Sequence, residues 1–170
     1  MSKAFTKEDD LGEVPALPRL VSPLVPGTKN YITPAGFQGL HRELAELQET
    51  RRPPLVAVAH RDGDALAELL LVEQRIAYLQ QSLRTAEMVS PPAEGDDRVR
   101  FGATVKVKDQ KGVETEYRIV GVDETNLDRN WVSWQSPVAR ALLNATPHQR
   151  VPFNFPLGQT ELEIVQISYE

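Results

Sequence analysis

The sequence predicts an α+β protein built in two parts: a helical hairpin, then a small β-rich domain. Three observations lead there. Apolar residues recur at threes and fours in two stretches on either side of a turn signal, the pattern of amphipathic helices. From Val99 onward the period changes to two, the pattern of half-buried strands. Between the two lies a short stretch rich in proline, glycine and acid, the composition of a linker.

Residues 1–30 open the chain, with Pro15, Pro18, Pro23 and Pro26 and the acidic cluster Glu8, Asp9 and Asp10. Little apolar periodicity and many prolines predict an extended or disordered segment. The hairpin is expected over 31–90. Thr33 before Pro34 reads as an N-cap followed by proline at the first helical position, where a missing N–H costs nothing. Phe37, Leu40, Leu44 and Leu47 then form an apolar stripe. Pro53 and Pro54 remove two backbone donors and predict a kink or brief break, with Leu55 to Ala59 resuming the helix. Arg61, Asp62, Gly63 and Asp64 are turn residues and place the tip near 61–64. A second helix is expected from Asp62 or Asp64 to about Met88, with Leu69, Val72, Ile76, Leu79, Leu83 and Ala86 as its stripe. Two such helices joined by a tight turn bury their stripes against each other, antiparallel.

The linker is expected over 91–98 and the C-terminal domain over 99–170. Val99 with Phe101, Thr104 to Lys108, and Glu116 to Ile119 alternate like strands, and Lys111-Gly112 reads as a hairpin turn. Later strands are expected at Trp131 to Trp134, near Val151 to Phe155, and at Glu161 to Tyr169, with a short helix over Pro137 to Leu143.

Composition limits the functions available. The apolar share is 41% and the charged share 25%, the balance of a soluble globular protein. Apolar runs such as Leu69 to Val72 are too short to cross a bilayer, and Met1 to Phe5 do not resemble a signal peptide. The chain has no cysteine, which removes disulfides, thiolate zinc sites and cysteine nucleophiles and suits a cytoplasmic protein. A net charge of −5 argues against gripping duplex nucleic acid directly and favours a protein partner.

The chemistry-bearing residues are few. Asp62 and Asp64 flank a glycine at the tip, with Glu68 one turn along. Carboxylates on a protruding tip can complete the shell of a Mg²⁺ held elsewhere, since that ion takes only one or two protein carboxylates. Helix capping is the commoner role of aspartate at such a place. His41, His60 and His148 show no ligand spacing, and no serine lies in a glycine-flanked elbow. Trp131 and Trp134, three apart on a strand, should face opposite sides, one in the core and one exposed as a partner anchor. The residues by themselves describe a binding protein without an intrinsic catalytic constellation.

Several short motifs, in order, resemble the Gre transcript-cleavage factors. Tyr31-Ile32-Thr33-Pro34, Gly36, Leu40, Glu43-Leu44 and Arg51-Arg52-Pro53 look like that family's first coiled-coil helix. Arg75-Ile76, Leu79, Leu83 and Ala86 to Val89 resemble the end of its second. Phe101-Gly102-Ala103, Tyr117 to Gly121, Asp123-Glu124 and Ser136 to Leu143 follow the order and spacing of its C-terminal domain. Met1 to Asp9 and Pro26 to Asn30 look like the start of the B-type members.

The resemblance implies an antiparallel coiled coil followed by an FKBP-like antiparallel sheet domain without isomerase activity. It implies a cytoplasmic monomer that docks on the rim of the secondary channel of bacterial RNA polymerase, touches nucleic acid only through the elongation complex, and has no membrane association. Such a protein is no enzyme itself; at most it stimulates the transcript cleavage intrinsic to the polymerase. By this resemblance the polymerase contact falls on Asp123, Ser136, Pro137, Val138, Ala139, Arg140, Leu142 and Leu143, with Val138, Leu142 or Leu143 supplying an exposed apolar centre. No cofactor is implied beyond a Mg²⁺ shared with the polymerase active site through Asp62 and Asp64.

The tip departs from the family pattern. Cleavage-competent members carry Gly-Asp-x-x-Glu-Asn, whereas Gly63-Asp64 is followed here by Ala65, Leu66, Ala67 and Glu68. Asp64 matches, Glu68 is one residue out of place, and Asp62 is an additional carboxylate. The hairpin also lacks roughly a dozen residues against the family pattern, about 9 Å per arm, which resembles the short-hairpin Rnk type. Thr146 to Arg150 replaces the family's usual glycine–acid pair. Two mechanisms follow, cleavage stimulation through Asp62, Asp64 and Glu68, or channel occupancy without efficient cleavage. A prolyl isomerase or chaperone module lined by Phe101, Tyr117, Trp131, Trp134, Phe153 and Phe155 is the alternative from another class. A coiled-coil adaptor that dimerises through the hairpin stripe is a third.

Overall fold

A computed structural model describes residues 24–92, 96–155 and 158–169. The expected extended segment thus falls, up to residue 23, outside the described residues. Thr33 lies in extended backbone (φ −75°, ψ 157°), and its hydroxyl accepts from the Gly36 amide at 3.0 Å. That cap, with Pro34 behind it, starts α1 (Pro34–Glu46).

The predicted kink at the prolines takes a particular form. Leu47–Arg51 widen into a π-helical turn, in which Arg52 N–H donates five residues back to the Leu47 carbonyl. α2 (Arg52–Val58) then begins with the prolines in its first turn. A proline ring presses on the carbonyl four residues back and offers it no donor; the wider turn moves those carbonyls aside without breaking the helix. At the tip, Asp62 caps α3 (Gly63–Thr85), whose 23 residues span about 35 Å.

The arms of the hairpin meet along the expected stripes. Leu40 and Leu79 are buried against each other's cluster, with Phe37, Leu44, Leu47 and Leu83 packed around them. Arg52–Glu73 at 2.6 Å and Arg75–Glu43 at 2.7 Å tie the arms together outside the stripe. Hydrogen bonding to Glu43 holds the Arg75 guanidinium above its already high ordinary value. These pairs are well exposed, so their contribution is small beside the apolar contact.

The second helix was expected to reach Met88, and this is corrected: it ends at Thr85. Ala86–Met88 turn extended as β2 and pair in parallel with β1 (Asn30–Ile32), closing the base of the hairpin. The Asn30 side chain donates to the Ser82 carbonyl at 3.1 Å, and Val89 N–H donates to the Ile32 carbonyl at 2.9 Å. A carbonyl of the last helical turn thereby finds a donor from the incoming strand, which helix propensity does not register.

The C-terminal sheet runs in the order β5-β4-β3-β7-β6. Its strands are β3 (Thr104–Asp109), β4 (Glu114–Val120), β5 (Trp131–Ser133), β6 (Arg150–Phe155) and β7 (Gly158–Ser168). Gly112, at φ +84°, makes the β3–β4 turn as expected. The sheet was expected to be antiparallel but is mixed, because β5 pairs in parallel with β4, Arg118 opposite Trp131. Ten residues separate the two strands, including 3₁₀ turns at Val122–Glu124 and Leu127–Arg129, and they bring the chain back only as far as Arg118, so β5 pairs with the last three residues of β4. Val99 and Phe101 form no strand. Val99 is fully buried, its N–H donating to the Ala145 carbonyl at 2.9 Å and its carbonyl accepting from the Asn144 amide at 2.8 Å. A short helix α4 (Pro137–Leu142) covers one face of the sheet and buries Val138, Ala139 and Leu142 in the core with Val105, Ile119 and Ile164.

Candidate functional site

Two surfaces carry the candidate residues: the hairpin tip and the face beside α4. At the tip the three carboxylates part company. Asp62 Oδ1 accepts from the amides of Asp64 at 3.0 Å and Ala65 at 3.2 Å, so it serves as the cap. Glu68 is paired with Arg51 at 2.5 Å. Asp64 is exposed in the first turn of α3, and no partner is recorded for its carboxylate among the described residues. No group of three or more metal-ligating side chains occurs among the described residues. What the tip can offer an ion held elsewhere is one unencumbered carboxylate and the second oxygen of Asp62.

Beside α4, Ser136 caps the helix through its hydroxyl, which accepts from the Ala139 amide at 3.2 Å. Pro137 and Arg140 are exposed and Leu143 is half-buried. Of Val138, Leu142 or Leu143, one of which was expected to supply an exposed apolar centre, the first two do not. At 8% and 0% exposure they point into the core, since a six-residue helix lying flat on a sheet turns its second and sixth positions inward. The apolar character of the surface comes instead from Val25, 55% exposed, with Leu143 and the rim of Trp134. These three, with Thr28, Gln135 and Arg140, enclose a concavity of about 310 Å³. Gln135 Nε2 donates to the Thr28 hydroxyl at 2.9 Å, which fastens the N-terminal segment to this face. The Trp134 indole N–H is buried and has no hydrogen-bond partner among the described residues. Val25, Thr28 and Gln135 were missed in the sequence because only tertiary contact brings residues so far apart together.

The tryptophans also differ from expectation. Both are half-buried: Trp134 packs on the sheet core, while the Trp131 ring lies 4.8 Å from the Arg118 guanidinium and 5.4 Å from that of Arg129. Tyr31 of β1 meets Trp134 and Phe101 at ring-centroid distances of 5.1 and 5.9 Å. Of the aromatics proposed to line an isomerase pocket, Tyr117, Phe153 and Trp134 pack on the core, Phe101 meets Tyr31 at the junction and Trp131 is flanked by cations.

Asp123, placed by resemblance at the polymerase contact, lies at the junction with the hairpin. Its two oxygens accept from the Tyr78 and Ser82 hydroxyls of α3. The neighbouring Glu124 accepts from the Thr33 amide at 3.0 Å, from the Thr33 hydroxyl, and from the Gly121 amide at 2.9 Å.

A helical hairpin with a carboxylate at its tip, mounted on a mixed-sheet domain with a small apolar and cationic face, defines a two-part binding protein. Residues 94–169 match the family model described as transcription elongation factor, GreA/GreB, C-terminal. The chain is 38% identical over 155 residues to transcription elongation factor GreB of Neisseria meningitidis serogroup B, the match covering 84% of this chain and 95% of that protein. It is 33% identical over 155 residues to transcription elongation factor GreA of Wolinella succinogenes, covering 84% and 96%. Among solved structures it is similar to the GreA factor homolog Gfh1 of Thermus thermophilus, at 25% identity and a TM-score of 0.39, covering 83% of this chain and 99% of that one. The chain belongs to the GreA/GreB family of transcription elongation factors. These relatives give the isomerase alternative no support. No helix among the described residues is long and apolar enough to cross a membrane.

Proposed function

We propose that this protein binds bacterial RNA polymerase at the rim of the secondary channel through the face beside α4, and directs its hairpin into the channel. There it modulates elongation by occupancy more than by stimulating transcript cleavage. The observation that carries the second half is the state of the tip: of three carboxylates, Asp62 caps a helix, Glu68 is ion-paired, and Asp64 alone is unengaged. A shared Mg²⁺ would supply Lewis acidity and an activated water at the polymerase active site. The contribution of this chain would be to place Asp64 beside it. An arm shortfall of about 9 Å against a metal–oxygen bond of about 2 Å weighs against that placement.

Family membership and the surface formed by exposed Val25 and Arg140 with half-buried Leu143 support docking. A compact apolar centre with one arginine at its edge suits a partner surface with an apolar side chain beside a carboxylate. The test is a reconstituted, backtracked elongation complex with labelled transcript and Mg²⁺, given this protein alone and in competition with a cleavage-competent Gre factor. Suppression of the competent factor without release of 3′ fragments is the expected result. Fragment release by this protein alone would show that Asp64 reaches the ion and would overturn the occupancy reading. Neither cleavage nor competition would remove channel binding itself.

A further inference from the structure

The family comparison places Asp123-Glu124 in a C-terminal domain, yet both side chains turn towards the hairpin. The 3₁₀ turn Val122–Glu124 stands between the two arms. Asp123 takes hydroxyl donors from Tyr78 and Ser82, one turn apart on α3. Glu124 takes the amide and hydroxyl of Thr33, the cap of α1. Two adjacent carboxylates therefore grip one arm each. The closeness of the junction shows at two glycines. A Cβ on Gly36 would lie 2.1 Å from Glu124 Oε1, and one on Gly121 would lie 2.4 Å from the Tyr31 carbonyl oxygen.

The aromatic contact of Tyr31 with Trp134 and Phe101 holds the two parts together on the other side of β1. Apolar contact is non-directional, whereas hydrogen bonds to a carboxylate are short and fixed in geometry. The first can keep the parts attached while the second decides their angle. Angle matters because the hairpin is a lever. Over the roughly 35 Å of α3, a 10° swing moves the tip by about 6 Å, some three times a metal–oxygen bond.

We propose that Asp123 and Glu124 are positioning residues, a clasp that fixes the direction in which the hairpin leaves the C-terminal domain and hence where Asp64 is delivered. The clasp is a property of the free protein; its consequence in the channel rests on the function proposed above.

The test uses the full chain. Because the sequence has no cysteine, spin labels can be attached at Arg61→Cys near the tip and Lys111→Cys in the β3–β4 turn, and the interlabel distance measured by dipolar spectroscopy. The parent should give one narrow distribution. Asp123→Asn with Glu124→Gln, which neutralises the clasp, should broaden and displace it. Gly36→Ala, whose methyl group displaces the flexible end of Glu124, should do the same by a separate route. Tyr78→Phe removes a single donor and should give a smaller broadening, and it provides a mild variant in case the double one fails to fold, as far-ultraviolet circular dichroism would show. An unchanged distribution in the folded variants overturns the proposal. In the backtracked complex, the double variant should still compete for the rim and suppress the competing factor's cleavage as the parent does, its α4 face being untouched. If the distances broaden while even the parent fails to compete, the clasp stands and the channel reading falls.

Discussion

At the tip, Asp62 and Asp64 stand two residues apart and answer to different constraints. Asp62 satisfies two amides at the start of α3, so Asp62→Ala should cost about 1 kcal/mol of stability while Asp62→Asn, an equally good cap, should cost almost nothing. Asp64→Asn removes an exposed carboxylate that meets no partner among the described residues and should change stability by less than about 0.5 kcal/mol. Urea unfolding of the three variants checks all of this. A large loss in Asp62→Asn would mean that its charge does more than cap. A similar division separates neighbours on α4. Leu142, fully buried, should cost about 2–5 kcal/mol as Leu142→Ala. Arg140→Ala, on the exposed side, should leave unfolding nearly unchanged but weaken polymerase binding in a titration at fixed salt. If Arg140→Ala bound as well as the parent, the α4 face would not be the docking surface.

At the level of elements, the hairpin depends on one seam. Leu79 is fully buried between the arms with Leu40 and Ile32 close by, and Leu79→Ala should cost about 2–5 kcal/mol through lost transfer energy and the cavity left behind. Lower helical ellipticity at intermediate urea concentrations, relative to the parent, is the expected signature. The π-helical turn at Leu47–Arg51 shows how an arm with two consecutive prolines stays continuous. The ring and the missing N–H are accommodated by one wider turn, and α2 still packs along α3. The base is built differently again. There a two-stranded parallel pairing, β1 with β2, ends the second helix and brings Thr33 and Tyr31 to the sheet domain.

For the whole molecule, both apolar stripes of the hairpin are consumed inside the chain, and the sheet core is closed by α4. Among the described residues no long apolar seam is left to offer a second copy. Sedimentation at micromolar concentration should give the mass of one 170-residue chain. A dimer would revive the adaptor reading, with the hairpin opened to pair between copies. The hairpin tip and the α4 face lie on separate parts of the fold, so under the proposed function docking and tip delivery are separable. The junction around Asp123 and Glu124, with the Tyr31 contacts to Trp134 and Phe101, connects the two parts.

The sequence by itself determined the hairpin, its caps at Thr33 and Asp62, its tip, the β3–β4 turn and the short helix after Ser136. Each of these depends on residues within a turn or two of one another, where apolar period, proline position and capping chemistry act locally. Family kinship was legible for the same reason, since its motifs are short and ordered. Tertiary structure alone decided the rest. It ended the second helix at Thr85 because Asn30 and Ile32 supply partners from far back in the chain. It set β5 parallel to β4, turned Val138 and Leu142 inward, and brought Val25 to the α4 face. It also drew Asp123 away from the surface expected of it, to Tyr78 and Ser82. Hydrogen-bond partners and burial at such distances are fixed by how whole elements pack, and a local pattern of residues holds no record of that packing.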